Sequence, residues 1–179
     1  HVTIRVALVT RERTPVPREN DVDPDERGPG VRMRRAPLHS NDRPHMSTDV
    51  PRIRLATEHD AASMLAIYRP FVENTTVSFE AVVPSLDEFA ARLKKYLDGW
   101  SAFVAVHADQ IVGYAYGSAH REREAYRWSV ETTVYVDPDR HRSGVGRALY
   151  AELLPALAAK GFCNAYAGVA LPNDASVGL

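Results

Sequence analysis

The run Ser129–Tyr150 (SVETTVYVDPDRHRSGVGRALY) concentrates the residues whose types and spacing suit chemistry. It reads as a strand, a short loop holding Gly144 and Gly146, and the first turns of a helix. Such a loop aims successive backbone N–H groups at one point, and the helix dipole favours negative charge there. Arg140, Arg142 and Arg147 add positive charge around it, so a pyrophosphate is the natural guest. A Walker loop is excluded because the loop contains no lysine. A dinucleotide fingerprint would need glycine or alanine three places after Gly146, where Leu149 stands. On the loop alone, a tight turn with no ligand explains the two glycines as well.

The elements that must position this loop follow from hydrophobic period. A short strand is expected at Ile53–Leu55, then a helix opened by the capping pattern Thr57-Glu58-His59-Asp60, with Met64, Ile67, Tyr68 and Phe71 inward. Thr75–Phe79 leans towards strand. Ser85-Leu86-Asp87-Glu88 opens a second helix, with Phe89, Leu93, Tyr96 and Leu97 on its apolar stripe and Gly99 as its stop. The period then changes to two. Ala102–His107 and Ile111–Ser118 form a hairpin turned at Ala108-Asp109-Gln110, and Val130–Val136 is a third strand. A helix over Val145–Lys160 puts Leu149, Leu153, Leu154 and Leu157 inward, Gly161 closes it, and Phe162–Ala170 is a further strand. Leu171-Pro172-Asn173-Asp174 opens another helix that stays unfinished at Leu179, which suggests a fragment.

Composition divides the 179 residues at about residue 45. Residues 1–45 carry 9 of the 22 basic residues and 6 of the 12 prolines but no aromatic side chain. Such a segment buries too little apolar area to offset its ordering entropy, so it reads as a disordered Pro/Arg-rich extension, with Met46 as a natural start of the ordered domain 46–179. A net charge of −1 argues against a nucleic-acid partner, and no apolar stretch is long enough to span a membrane. The single cysteine, Cys163, excludes an intrachain disulfide and points to a cytoplasmic setting, where it packs as a small apolar side chain. His59, His107 and His120 share no metal-ligand spacing, so no metal is expected.

Several separated motifs stand in one order. They are Arg54-Leu55-Ala56-Thr57-Glu58, Thr76-Val77-Ser78-Phe79, Arg123-Glu124-Ala125-Tyr126-Arg127-Trp128, Glu131-Thr132-Thr133-Val134-Tyr135-Val136, Arg142-Ser143-Gly144-Val145-Gly146 and Leu171-Pro172-Asn173-Asp174. In these the sequence resembles the GNAT acyltransferase superfamily over residues 52–179, and within it the phosphinothricin N-acetyltransferase family. The resemblance implies an α+β fold: a mixed, mostly antiparallel sheet with flanking helices, incomplete at its C-terminal strands, that splays between the strands at 129–136 and 162–170. Acetyl-CoA is the implied acyl donor. Its pyrophosphate would rest on Arg142, Ser143, Gly144, Val145, Gly146 and Arg147, its pantetheine on Val134, Tyr135 and Val136, and Asn173 would contact it too. His141 departs from the pattern, which has Gln or Arg there.

Acetyl transfer to an amine needs a base, because an ammonium cannot attack, and fixed donors for the thioester oxygen. Glu131 matches the family's catalytic glutamate and shares a strand face with Thr133 and Tyr135, while a backbone N–H near Val134 is the expected oxyanion donor. Arg123 and Tyr126 match positions that hold the substrate's anionic end, with Arg121 assisting and Phe79 lining the pocket. The implied acceptor is the amine of phosphinothricin, methionine sulfoximine or a similar small amino acid, and the implied assembly is a homodimer. Two other readings stand beside it: a non-catalytic module binding CoA or a partner, and an acetyltransferase directed at protein amines.

Overall fold

In the computed structural model, residues 3–10 and 51–179 are described. One six-stranded sheet has the order β1-β6-β5-β4-β3-β2, with β1 at Thr3–Thr10, β2 at Arg52–Leu55, β3 at Ala102–His107, β4 at Gln110–Ala119, β5 at Ser129–Val136 and β6 at Asn164–Leu171. Pairings from β2 to β5 are antiparallel, whereas β6 runs parallel to both β5 and β1. Helices α1 (Ala61–Asn74) and α2 (Leu86–Gly99) pack on one face, α3 (Val145–Ala159) on the other, and α4 (Asp174–Val177) follows β6.

The apolar stripes decide these layers. Met64, Leu65, Tyr68, Phe71, Phe89 and Leu93 meet Ala102, Val104 and Tyr114 on the first face. Leu149, Leu153 and Leu157, all fully buried, meet Ala105, Ala115, Val130 and Ala165 on the second. Ala108 and Asp109 turn the β3–β4 hairpin with φ of 47° and 60°, the left-handed pair that matches strand twist. At the start of α1, Arg54 donates two hydrogen bonds of 2.7 Å to the Asp60 carboxylate, which also accepts from the Thr57 N–H at 2.8 Å. The Arg54 guanidinium holds the Asp60 carboxyl below the usual carboxylate range, with the Thr57 bonds adding to it and burial opposing. This pair locks the end of β2 to the start of the helix.

Three expectations are corrected. Thr3–Thr10 lies in the segment read as a disordered extension, yet it pairs in parallel with all of Asn164–Leu171. The backbone edge of β6 is open to pairing, and a run rich in Thr, Ile and Val has the strand propensity to fill it. The rest of that extension, and Met46, lie outside the described residues. Thr75–Phe79 forms no strand: Thr75 Oγ1 donates to the Phe71 carbonyl at 2.6 Å, and the Tyr68 and Ser78 hydroxyls share a buried hydrogen bond of 2.6 Å. Side chains there bond back to α1, so the backbone is not free to join a ladder. Cys163 is exposed, ahead of β6 rather than packed within it.

Candidate active site

Strands β5 and β6 pair only at Ser129, Val130 and Glu131, opposite Asn164, Ala165 and Tyr166. Beyond that point β5 stays paired to β4 as far as Val136, and β6 stays paired to β1 as far as Leu171. The sheet therefore opens into a wedge between Thr132–Val136 and Ala167–Leu171. Where the ladder ends, Thr132 Oγ1 donates to the Tyr166 carbonyl at 3.2 Å, satisfying an oxygen that the vanished pairing leaves over.

The wedge leads into the glycine loop. One cleft is lined by Thr132, Val134, Tyr135, Tyr150, Gly168 and Asn173, and it shares Val134, Tyr135, Arg147 and Asn173 with a second lined by Val136, Arg142, Gly144, Val145 and Gly146. Nine of the ten residues expected to hold a cofactor line these joined clefts. Ser143 is the exception, its hydroxyl donating to the Arg140 carbonyl at 2.6 Å inside the loop. Gly144 is the N-cap of α3 at φ 84° and offers no side-chain cap, so the first N–H groups of the helix stay open to an external acceptor. Arg142 also takes a left-handed φ of 62°, which costs a non-glycine residue roughly 1 kcal/mol and is held by the loop around it. His141, the departure from the family pattern, spans 3.1 Å from Nε2 to the Val136 carbonyl and so ties the loop to the end of β5.

Glu131 lies on the other face of β5 from Val130 and Thr132, which are buried, and on the same face as Tyr135. Its register partners are Ser118 on β4 and Tyr166 on β6, which make one row across the sheet. A Cβ placed on Gly168 would stand 3.6 Å from Glu131 Oε1, so the carboxylate reaches across the wedge to a residue that lines the first cleft. Tyr135, further along this face, packs against Tyr68 at 5.0 Å and Phe71 at 5.1 Å.

Arg121, Arg123 and Tyr126 line a depression of their own together with Glu122, and the Arg121 guanidinium sits 5.4 Å from the Tyr126 ring centroid. Phe79 is elsewhere, 57% exposed on the connection between α1 and α2. Ser78 beside it is buried against Tyr68, and Arg92 of α2 is ion-paired with Glu80. These bonds fix the backbone on either side of Phe79.

Sequence reasoning missed Tyr150 and Thr132. The Tyr150 hydroxyl donates towards Thr132 Oγ1 at 3.5 Å within the first cleft, and burial pushes its pKa above that of an ordinary phenol, so it stays a proton donor. The available signal was a tyrosine one turn past the anion loop, beside rather than on the Leu149–Leu153–Leu157 stripe.

Residues 53–179 match the family model described as an acetyltransferase (GNAT) domain. The chain is 37% identical over 127 residues to the phosphinothricin N-acetyltransferase of Streptomyces viridochromogenes, covering 71% of this chain and 69% of that protein. Among solved structures, it is similar to a GNAT superfamily phosphinothricin acetyltransferase from Sinorhizobium meliloti in complex with acetyl-CoA. That likeness has a TM-score of 0.69 and 34% identity, over 72% of this chain and 71% of the other. It is also similar to a ribosomal-protein-alanine N-acetyltransferase from Brucella melitensis, with a TM-score of 0.67 and 35% identity over 70% of this chain and 78% of that one.

Proposed function

Because this chain belongs to the GNAT acetyltransferase family, whose acetyl donor is acetyl-CoA, we propose that it acetylates the amine of a small amino acid with an anionic end, such as phosphinothricin or methionine sulfoximine. The observation that carries the reading is the wedge between β5 and β6, which runs without a break into an uncapped helix N-terminus flanked by Arg142 and Arg147. The residues present suit acetyl-CoA. Open N–H groups and two guanidinium groups match a pyrophosphate, and a strand edge freed of its ladder matches the amides of pantetheine.

Acetyl-CoA supplies an activated acyl carbon, whose bond to sulfur breaks as the bond to the amine nitrogen forms. Glu131 takes the proton that the amine must lose to become a nucleophile. The freed edge of β5 near Val134 offers a backbone N–H to the thioester oxygen as negative charge gathers on it. Tyr150, kept protonated by burial, is a donor for the departing sulfur. Arg123 and Tyr126 receive the anionic end of the amino acid, with Arg121 held beside them on the Tyr126 ring. We place the reaction in the cytoplasm, the setting suited to a reduced Cys163; among the described residues no helix is long and apolar enough to cross a membrane.

A second reading, acetylation of protein N-termini, is favoured by the likeness to the Brucella melitensis enzyme. A panel of acceptors separates the two. Release of CoA thiol is followed with phosphinothricin, methionine sulfoximine and an alanine-initiated peptide. We expect kcat/KM for the first two to exceed that for the peptide by at least about tenfold, the worth of one charge-assisted contact to the anionic end. A preference for the peptide would replace this reading with the second.

A further inference from the structure

His120 follows β4 directly and joins the two halves of the acceptor site. Its ring lies flat on Tyr166, with centroids 3.9 Å apart and planes 5° from parallel, and Tyr166 is the register partner of Glu131. Tyr126 stands edge-on to the same imidazole at 5.7 Å and 72°, while Arg121 covers the Tyr126 ring. Two aromatic contacts at steep angles to each other fix the plane of the ring. Aromatic packing of this kind asks only for an aromatic side chain, which phenylalanine satisfies.

The nitrogen calls for a different explanation. Nδ1 of His120 is shut away from solvent and has no hydrogen-bond partner among the described residues. Buried polar atoms of native proteins are nearly always partnered, and leaving one unmet is costly. The charged groups of the adjoining loop and next strand are Arg121, Glu122, Arg123 and Glu131, and of these Arg121 covers the Tyr126 ring that stands against the imidazole. Two guanidinium groups make this end of the site a place for an anion, and an Nδ1–H is a donor to an oxyanion.

We propose that His120 is a specificity-determining residue of the acceptor site, whose Nδ1–H donates to an oxygen at the oxyacid end of the amino-acid substrate. The inference rests on the reading that Arg123 and Tyr126 hold that end. It assigns to His120 the choice between an oxyacid side chain and an apolar one, with no part in the proton transfer at Glu131.

The test compares His120→Phe, which keeps the stacked ring and removes the nitrogen, with His120→Asn, whose amide nitrogen restores a donor near the same place. For each, KM and kcat are measured with phosphinothricin and with norleucine, which keeps the α-carboxylate but lacks the oxyacid group on the side chain. His120→Phe should raise the KM for phosphinothricin about ten- to a hundredfold, with kcat changed less than about twofold, so that selectivity over norleucine falls by the same factor. His120→Asn should recover most of that selectivity. Equal losses with both acceptors, or none with either, would overturn the proposal. A readout independent of turnover is the imidazole ¹⁵N signal of His120, assigned by its absence in His120→Phe and followed as phosphinothricin is added. Movement of the Nδ1 signal in a protein that acetylates nothing would refute the acetyltransferase reading and support the contact. Turnover of phosphinothricin with a stationary Nδ1 signal would do the reverse.

Discussion

Glu131→Gln is expected to lower kcat for acetyl transfer at neutral pH about 10²- to 10⁴-fold, the usual contribution of a positioned general base. The substitution keeps size and hydrogen-bonding shape but removes the ability to take a proton. Its neighbours across the sheet, Ser118 and Tyr166, are uncharged, so the change leaves no cation stranded beside it. The glycine loop belongs to α3, which packs on the opposite face of the sheet, so the KM for acetyl-CoA should change by less than about twofold. The deficit should also shrink as pH rises towards the amine's own pKa, because free amine then needs no base. The measurement is kcat against pH for both proteins. A variant with the same kcat as the native chain at neutral pH would remove Glu131 from the mechanism.

Gly113→Val is expected to cost stability and cofactor affinity together. Gly113 lies where β4 passes beneath the start of α3, and a Cβ there would stand 2.9 Å from Val145 Cγ1 and 3.1 Å from the Tyr135 carbonyl oxygen. The carbonyl belongs to the β4–β5 ladder and cannot yield, so the helix must lift. Overpacking of this kind costs about 1–3 kcal/mol, and a contact with backbone places this site at the upper end. Val145 is the first residue of α3, so lifting it moves the N–H groups beside Gly144 that we assign to the pyrophosphate. We therefore expect a fall in Tm of several degrees and a rise of about tenfold in the KM for acetyl-CoA, out of proportion to any change in the KM for the amine. A lower Tm with an unchanged acetyl-CoA KM would separate this packing from the cofactor site.

Period and capping made most of the fold legible in the sequence. Ser85 and Glu88 do cap α2, with the Ser85 N–H donating to Glu88 Oε2 at 2.8 Å, and the alternation of Val130 and Thr132 against Glu131 does place them on opposite faces. These are local properties, settled by residues within a turn or a strand of one another. Thr75–Phe79 was misread because its outcome depends on Tyr68, ten residues before Ser78, which captures the segment by a side-chain bond that no local period reports. Thr3–Thr10 was misread because its neighbour is β6, more than 150 residues away, and an apolar run gives no sign of the edge that will receive it. In the site, Gly144, Gly146 and the arginines suggested an anion loop, but a tight turn with no ligand fitted the two glycines as well until the wedge beside them was seen. The role assigned to Glu131 came from the family resemblance, since a strand carboxylate is most often only a solvated one. Tyr150 was hidden for the opposite reason: on a helix with so strong a leucine stripe, a flanking tyrosine reads as rim until the wedge beside it is seen.

The claim on which the account rests is that the wedge between β5 and β6 and the loop at Gly144 hold acetyl-CoA. A thermal melt of the full chain with and without the ligand tests it most directly. At a hundredfold its Kd, acetyl-CoA should add about 2.7 kcal/mol to the stability of the folded state and raise Tm by roughly 5–10 °C. CoA, which carries the same pyrophosphate and pantetheine, should give most of that rise. A cooperative transition whose midpoint is indifferent to both ligands would contradict the account and leave the fold without the donor site assigned to it.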